Sequence, residues 1–187
     1  MPTVRDGRLC AAAVLLVLVA AFAAPAAGAA DDGPGGIVAI SAPAGDARPS
    51  TVSEAALIGD RAIPPLDAPA AVRRVIAAAN QIRHTPYVWG GGHRSWWSHG
   101  YDCSGSVSYA LHGAGWLRSP LVSGSFMRWG APGPGRWITI YANGSHVYAE
   151  IAGLRWDTSG NARGTGPRWH TSPSYPAGFA VRHPIGY

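Results

Sequence analysis

The sequence predicts an α+β domain in which one or two helices precede a small antiparallel sheet. Three observations carry that prediction. Val72, Val75, Ile76 and Ile82 form an apolar stripe at helical spacing. Val107, Ala110 and Leu111 repeat that spacing behind Cys103, and Gly113 and Gly115 end the run. From Trp137 the pattern changes to short strand-like runs broken by Asn143-Gly144 and Ala152-Gly153, which read as tight turns.

The elements follow in order. Asp67-Ala68-Pro69 reads as the start of the first helix, with Asp67 as cap and Pro69 in the first turn, and Pro86 as its stop. Asp102 reads as the cap of the second helix, which places Cys103 in the first turn. Trp137 to Ala142 is expected as a strand and Ser145 to Ala152 as its return, with a type I′ turn at Asn143-Gly144. Leu154 to Asp157 follows the second turn, and Phe179 to Arg182 alternates as a last strand.

Ahead of these elements the chain has a different character. Arg5 and Arg8 precede an apolar run from Leu9 to Ala24 that ends in small residues, so residues 1–30 read as a secretory signal peptide. The run is shorter than the ~20 residues a spanning helix needs, so no stable membrane span is expected once it is cleaved. Residues 31–66 are rich in Asp, Ala, Gly and Pro and read as a flexible acidic linker. Residues 67–187 remain as the compact domain, expected to be a secreted, extracytoplasmic monomer.

Composition removes whole classes of chemistry. All fifteen basic residues are Arg, so Schiff-base lysines and the phosphate lysine of a P-loop are excluded. From residue 70 onward there are eleven Arg against Asp102, Glu150 and Asp157, so any catalytic carboxylate comes from those three. The basic domain favours an anionic partner such as a cell-wall polymer; no nucleic-acid motif is present, and export argues against that partner. Signal cleavage removes Cys10 and leaves Cys103 as a lone thiol outside the reducing cytosol, where it is either buried or used.

The surroundings of Cys103 favour use. At a helix start, free backbone N–H groups and the positive end of the dipole stabilise a thiolate and can hold an oxyanion. His146 is the best-placed base. If Ala152-Gly153 is a two-residue turn, Ile151 pairs with Leu154 and His146 faces Ser159. Asp157 is then a diagonal neighbour on the same face, able to orient the imidazole. A slip of one residue would send the two to opposite faces. His84, His93, His99, His112, His170 and His183 read as solvated, structural or helix-end residues. His93, His99 and Cys103 lack a fourth ligand at suitable spacing, so no metal and no cofactor are expected.

These residues resemble the secreted NlpC/p60-type cysteine peptidases of bacterial cell walls. The likeness rests on Tyr87-Val88-Trp89-Gly90-Gly91, on Asp102-Cys103-Ser104-Gly105 opening a helix, on the Pro/Gly-rich run from Pro132 to Gly135, and on Ser145-His146-Val147 opening a strand. The resemblance implies a papain-like fold, with the cysteine helix packed on the sheet. It also implies hydrolysis of peptidoglycan stem peptides, often between D-γ-glutamyl and a diamino acid. Cys103 would be nucleophile, His146 base and Asp157 the third polar residue; Tyr87, Asp102 and Ser104 would line the site near the substrate's amino end. The chain departs from the family at Gly135-Arg136, where Gly-Asp is common, and at Asp157, where His is common. An amidase or acyltransferase on the same scaffold, a wall-binding module using Trp96-Trp97, and a glycosidase using two of the three acids are the competing readings.

Overall fold

The computed structural model describes residues 53–160, 162 and 165–187. The segment read as a signal peptide and most of the stretch read as a linker therefore lie outside the described residues. No helix among those described is long and apolar enough to cross a membrane.

The described chain opens with a hairpin of β1 (Ala56–Ile58) and β2 (Arg61–Ile63), followed by α1 (Ala70–Ile82) and α2 (Cys103–Gly113). A single turn, α3 (Ser123–Phe126), leads to β3 (Ala131–Pro132), β4 (Ile138–Ala142), β5 (Val147–Ile151), β6 (Leu154–Asp157), β7 (Arg168–His170) and β8 (Ala180–His183). The last six strands form one antiparallel sheet in the order β3-β8-β4-β5-β6-β7. The α+β expectation holds, with helices first and the sheet after them.

Helix α1 buries Val72, Val75, Ile76 and Ile82, the stripe the sequence displays. Each such side chain contributes roughly 1.5–3 kcal/mol by leaving water. Its start differs from the expected one. Pro69 occupies the cap position without a side-chain hydrogen bond, and Asp67 instead accepts the Ser53 hydroxyl at 3.2 Å. Proline supplies the extended backbone that precedes a first turn, and no side chain caps that turn. The helix ends at Ile82, before Pro86 acts: Arg83 Nη1 and the Thr85 hydroxyl donate to the carbonyls of Asn80 and Ile82.

The hairpin β1-β2 falls inside the stretch read from sequence as linker. Asn80 explains it. From the buried face of α1 its side chain accepts from Ala62 N at 3.1 Å and donates to Ala62 O at 2.8 Å, acting as an extra strand residue. Ala55 N also donates to Ala152 O at 2.8 Å, tying the hairpin to the sheet. Strands of three residues are too short to display a hydrophobic period, so this element left no pattern to read.

Helix α2 is buried from Cys103 through Leu111 and packs between α1 and strands β5 and β6. Trp156 on β6 donates its indole N–H to Ser106 O at 3.4 Å. Glycine permits a second close approach: a Cβ on Gly105 would lie 2.0 Å from Gly91 O. The loop before α2 thus lies directly on the helix.

The two sheet turns fare differently. Ala152 (φ 47°) and Gly153 (φ 81°) both take the left-handed conformation, as a two-residue I′ turn demands, and Ile151 pairs with Leu154. The β4-β5 connection is instead four residues long, with Ala142 opposite Val147. Asn143 Oδ1 accepts from the N–H groups of Ser145 and His146, each at 2.9 Å, so its side chain organises the loop. The longer loop shifts the pairing by two residues, which leaves every side chain on its expected face. Strands β3 and β7 go beyond the sequence reading, being too short to show alternation.

Candidate active site

The site is assembled where the start of α2 meets the beginning of β5 and the end of β6. Asp102, extended at φ −85°, accepts from Gly105 N at 2.7 Å and so caps α2. Its other oxygen accepts from Gly90 N at 3.1 Å, fastening the preceding glycine loop to the helix end. Cys103 is the first residue of the helix, buried and free. There the unpaired N–H groups and the positive end of the dipole face its thiol. An isolated bridge between Tyr87 and Tyr101 brings Tyr87 alongside. Its phenol is pushed above the usual value by burial, then by the charges of Cys103 and Asp102.

His146 reaches this thiol from the Asn143 loop. Its Nε2 lies 2.9 Å from Asp157 Oδ1 and 3.3 Å from the Ser159 hydroxyl. That is the diagonal arrangement expected from the Ile151–Leu154 pairing. Burial disfavours the imidazolium, but hydrogen bonding and charge from Asp157 and Cys103 outweigh it and raise the His146 pKa to about 9. Asp157 faces the converse balance. Its side chain is 0% exposed, yet hydrogen bonds from His146, Tyr175 and Ser159 N hold its carboxyl below the usual range against burial.

The carboxylate of Asp157 is saturated with donors. Oδ1 accepts from His146 and from Ser159 N at 2.8 Å; Oδ2 accepts from the Tyr175 hydroxyl at 2.5 Å and Arg155 Nη1 at 3.3 Å. The Arg155 guanidinium also lies 4.9 Å from the centre of the Tyr175 ring. Arg155 is one of the eleven arginines of the basic domain. The structure buries it behind Asp157, while Arg94 and Arg136 are exposed. Tyr175 escaped the sequence reading, because nothing near it in the chain hints at a carboxylate 18 residues away.

His93 is the second omission. Its Nε2 donates to Asp102 Oδ1 at 3.1 Å and lies 3.1 Å from the Ser104 hydroxyl, which itself donates to Asp102. Asp102, Ser104 and His93 thus form one polar cluster flanking Cys103. The only available signal was the third glycine before His93, which lets the loop turn back onto the helix: Gly92 has φ +85°, and a Cβ there would strike the Tyr101 ring. Three of the other histidines have structural partners. His112 donates from Nδ1 to Leu117 O and stacks on Trp96, His183 donates to Gly133 O, and His84 lies 2.9 Å from Asp60. Among the described residues no cluster of three His, Cys, Asp or Glu side chains is arranged to hold a metal.

The six residues singled out by sequence therefore fall into two adjoining groups. Cys103, His146 and Asp157 line up as thiol, imidazole and carboxylate, the order in which a nucleophile, its base and the base's orienting group operate. Tyr87, Asp102 and Ser104 surround the thiol from the α2 side. With Nε2 engaged by Asp157, Nδ1 is the nitrogen left for Cys103.

No family model matches the sequence, and no curated protein is significantly similar to it. Solved structures are. The peptidoglycan hydrolase RipB from Mycobacterium tuberculosis is 33% identical, covering 67% of this chain and 70% of its own, with a TM-score of 0.52. Rv1477, a hypothetical invasion protein of the same organism, is 26% identical over 63% of each chain, with a TM-score of 0.48. Taken with the cysteine helix set against an antiparallel sheet, the identity to RipB shows that this chain belongs to the NlpC/p60 family.

Proposed function

We propose that this protein is an extracytoplasmic cysteine peptidase that hydrolyses peptidoglycan stem peptides, at the bond between D-γ-glutamyl and a diamino acid. One observation carries the reading above all: His146 is held by Asp157 at 2.9 Å, and Asp157 and Cys103 together raise its pKa to about 9. A merely structural cysteine needs no such partner. RipB, a peptidoglycan hydrolase, supports the substrate class.

The mechanism follows from the geometry. The thiol proton resides on His146, whose imidazolium Asp157 stabilises, while the helix end stabilises the thiolate. The thiolate sulfur attacks the scissile carbonyl carbon, and the oxyanion is held by Cys103 N–H and the Tyr87 hydroxyl. His146 gives its proton to the departing amine as the C–N bond breaks and a thioester remains. The now neutral imidazole takes a proton from water, hydroxide adds to the thioester, and the thiolate leaves, with the proton still on His146. Tyr87, Ser104 and Asp102, the last acting through His93 and Ser104, form the wall towards the substrate's amino end.

Digestion of purified peptidoglycan, with products identified by mass and Cys103→Ala alongside, tests this reading. Fragments cut between D-glutamate and the diamino acid, absent with the variant, are expected. Release of intact stem peptides from the glycan would make the enzyme an amidase. No Cys103-dependent product at all would overturn the peptidase.

A further inference from the structure

Outside the catalytic cluster, the molecule exposes two indoles on one loop. Trp89 is 85% exposed and Trp97 is 74% exposed. Both line the same cleft of about 190 Å³, with Gly90, Gly91, Gly92, Arg94, Ser95, Ser98 and His99 among its other walls. Trp96, between them in sequence, does the opposite: it packs against the core and stacks on His112 at 3.9 Å.

The backbone beneath both exposed rings is fixed. Trp89 occupies a tight turn closed by Gly91 N donating to Val88 O at 2.9 Å, with Gly90 at φ +73° completing it. Gly90 N is in turn held by Asp102. At the other side, the buried Tyr101 hydroxyl donates to Trp96 O at 2.6 Å and accepts from Ser98 N at 3.2 Å, clamping the residues on both sides of Trp97. Large apolar side chains on rigid backbone, left in water, are the mark of a binding surface rather than of a core.

We propose that Trp89 and Trp97 form a platform for the glycan strand of the wall polymer, resting on the peptidase reading for the identity of that polymer. The cleft chemistry selects a sugar. A pyranose ring presents an apolar C–H face that lies on an indole and a rim of hydroxyls that seek short polar partners. Between the two indoles this cleft offers glycine backbone, two serine hydroxyls and an arginine, and Val88 is its single aliphatic wall. Its volume lies below the ~300–1,000 Å³ of drug-sized pockets, and suits a single ring. Its position suits the substrate too: Gly90, next to Trp89, is bonded to the residue that precedes Cys103. A strand lying on the platform would hang its stem peptide beside the thiol.

The test is binding of peptide-free glycan strands, stripped of stem peptides by an amidase, to the purified chain bearing Cys103→Ala. These strands contain no scissile peptide, so the readout is independent of hydrolysis. Binding is expected to weaken about tenfold in Trp89→Ala and in Trp97→Ala, to vanish in the double variant, and to recover in Trp97→Tyr. Melting temperatures measured in parallel identify any variant that has lost its fold. Absence of binding by the parent, or equal binding by the double variant, would overturn the platform. So would a shift to anionic lipid vesicles as the preferred ligand, or a dimer that Trp97→Ala disperses. Glycan binding that persists while the unsubstituted protein, with Cys103 in place, leaves peptidoglycan uncut would overturn the peptidase and leave the platform standing.

Discussion

The start of α2, which carries Cys103, and the β5-β6 hairpin, which has His146 just ahead of it and Asp157 at its end, are held in place by different means. At the helix end one carboxylate does the fastening. Asp102 caps Gly105 three residues on and holds Gly90 twelve residues back. At the sheet donors from several segments converge: Tyr175 reaches Asp157 from 18 residues away, and Ser159 and His146 meet across a hairpin. The helix end therefore supplies a position for the thiol, and the sheet supplies a proton balance. Substitutions in the two regions should separate along that line, with helix-end changes altering placement and sheet changes altering pH dependence.

The largest effect belongs to the thiol itself. Cys103→Ala should abolish wall hydrolysis, a loss of more than ~10³-fold, while the melting temperature stays near the parent value. Product analysis and thermal unfolding check both halves. Retained hydrolysis would remove Cys103 from the chemistry.

Asp157→Ala comes next and sharpens the contrast. The carboxylate is the chief support of the raised His146 pKa, so without it the pKa should fall from about 9 towards its ordinary 6.5 or below, because burial then acts against Cys103 alone. Activity should drop roughly 10²–10⁴-fold. The stability profile follows from the signs of the two shifts. His146, raised in the fold, contributes fully below pH 6.5 and loses that contribution as pH rises through about 9. Asp157, lowered in the fold, contributes above 3.8 and loses its contribution as pH falls through its depressed value. Thermal unfolding of the parent should therefore weaken between pH 7 and 10, and Asp157→Ala should flatten that slope. An unchanged imidazole titration by NMR would refute the assigned cause.

Asp102→Ala tests the helix end. Losing the cap should cost about 1–2 kcal/mol of stability, read by denaturant unfolding. It also frees Gly90, Ser104 and His93, so activity should fall about tenfold while its pH profile keeps its shape. A changed profile with unchanged stability would reverse the division of labour between the two regions.

Legibility followed the same division. The cap, the helix and Cys103 were readable because Asp102-Cys103-Ser104-Gly105 states its geometry within four residues. The His146–Asp157 pairing was readable because Ala152-Gly153 fixes the register locally. The misread Asn143 loop did not touch it, because that loop sets the pairing of β4 with β5 and not of β5 with β6. The hairpin at 56–63 was not readable: its strands are short, and the partner that holds them, Asn80, is a polar residue on an otherwise apolar helix face. Tyr175 and His93 were missed for a related reason. Each acts through a carboxylate or hydroxyl that only the folded chain brings near. The burial of Arg155 was not readable, because alternation along a strand says which face a residue takes, not what covers that face.

Tyr175→Phe probes the most distant of these contacts and should give the smallest effect. The hydroxyl donates to Asp157 Oδ2 at 2.5 Å, one of four donors on that carboxylate. Removing it leaves His146, Ser159 N and Arg155 in place, so the carboxylate stays charged at neutral pH. Its depressed pKa should rise, since a hydrogen bond to the charged form is lost. The phenylalanine ring keeps its place beside Arg155 and Phe179, so packing is preserved. Tyr175 is half exposed, and water can replace part of the lost bond, which limits the cost to about 1 kcal/mol. Activity at pH 7 should fall only a few-fold, while acid unfolding begins at a higher pH than in the parent. If acid unfolding is unmoved while activity falls a hundredfold, Tyr175 touches substrate rather than supporting Asp157. The aromatic segment around it would then belong to the binding surface.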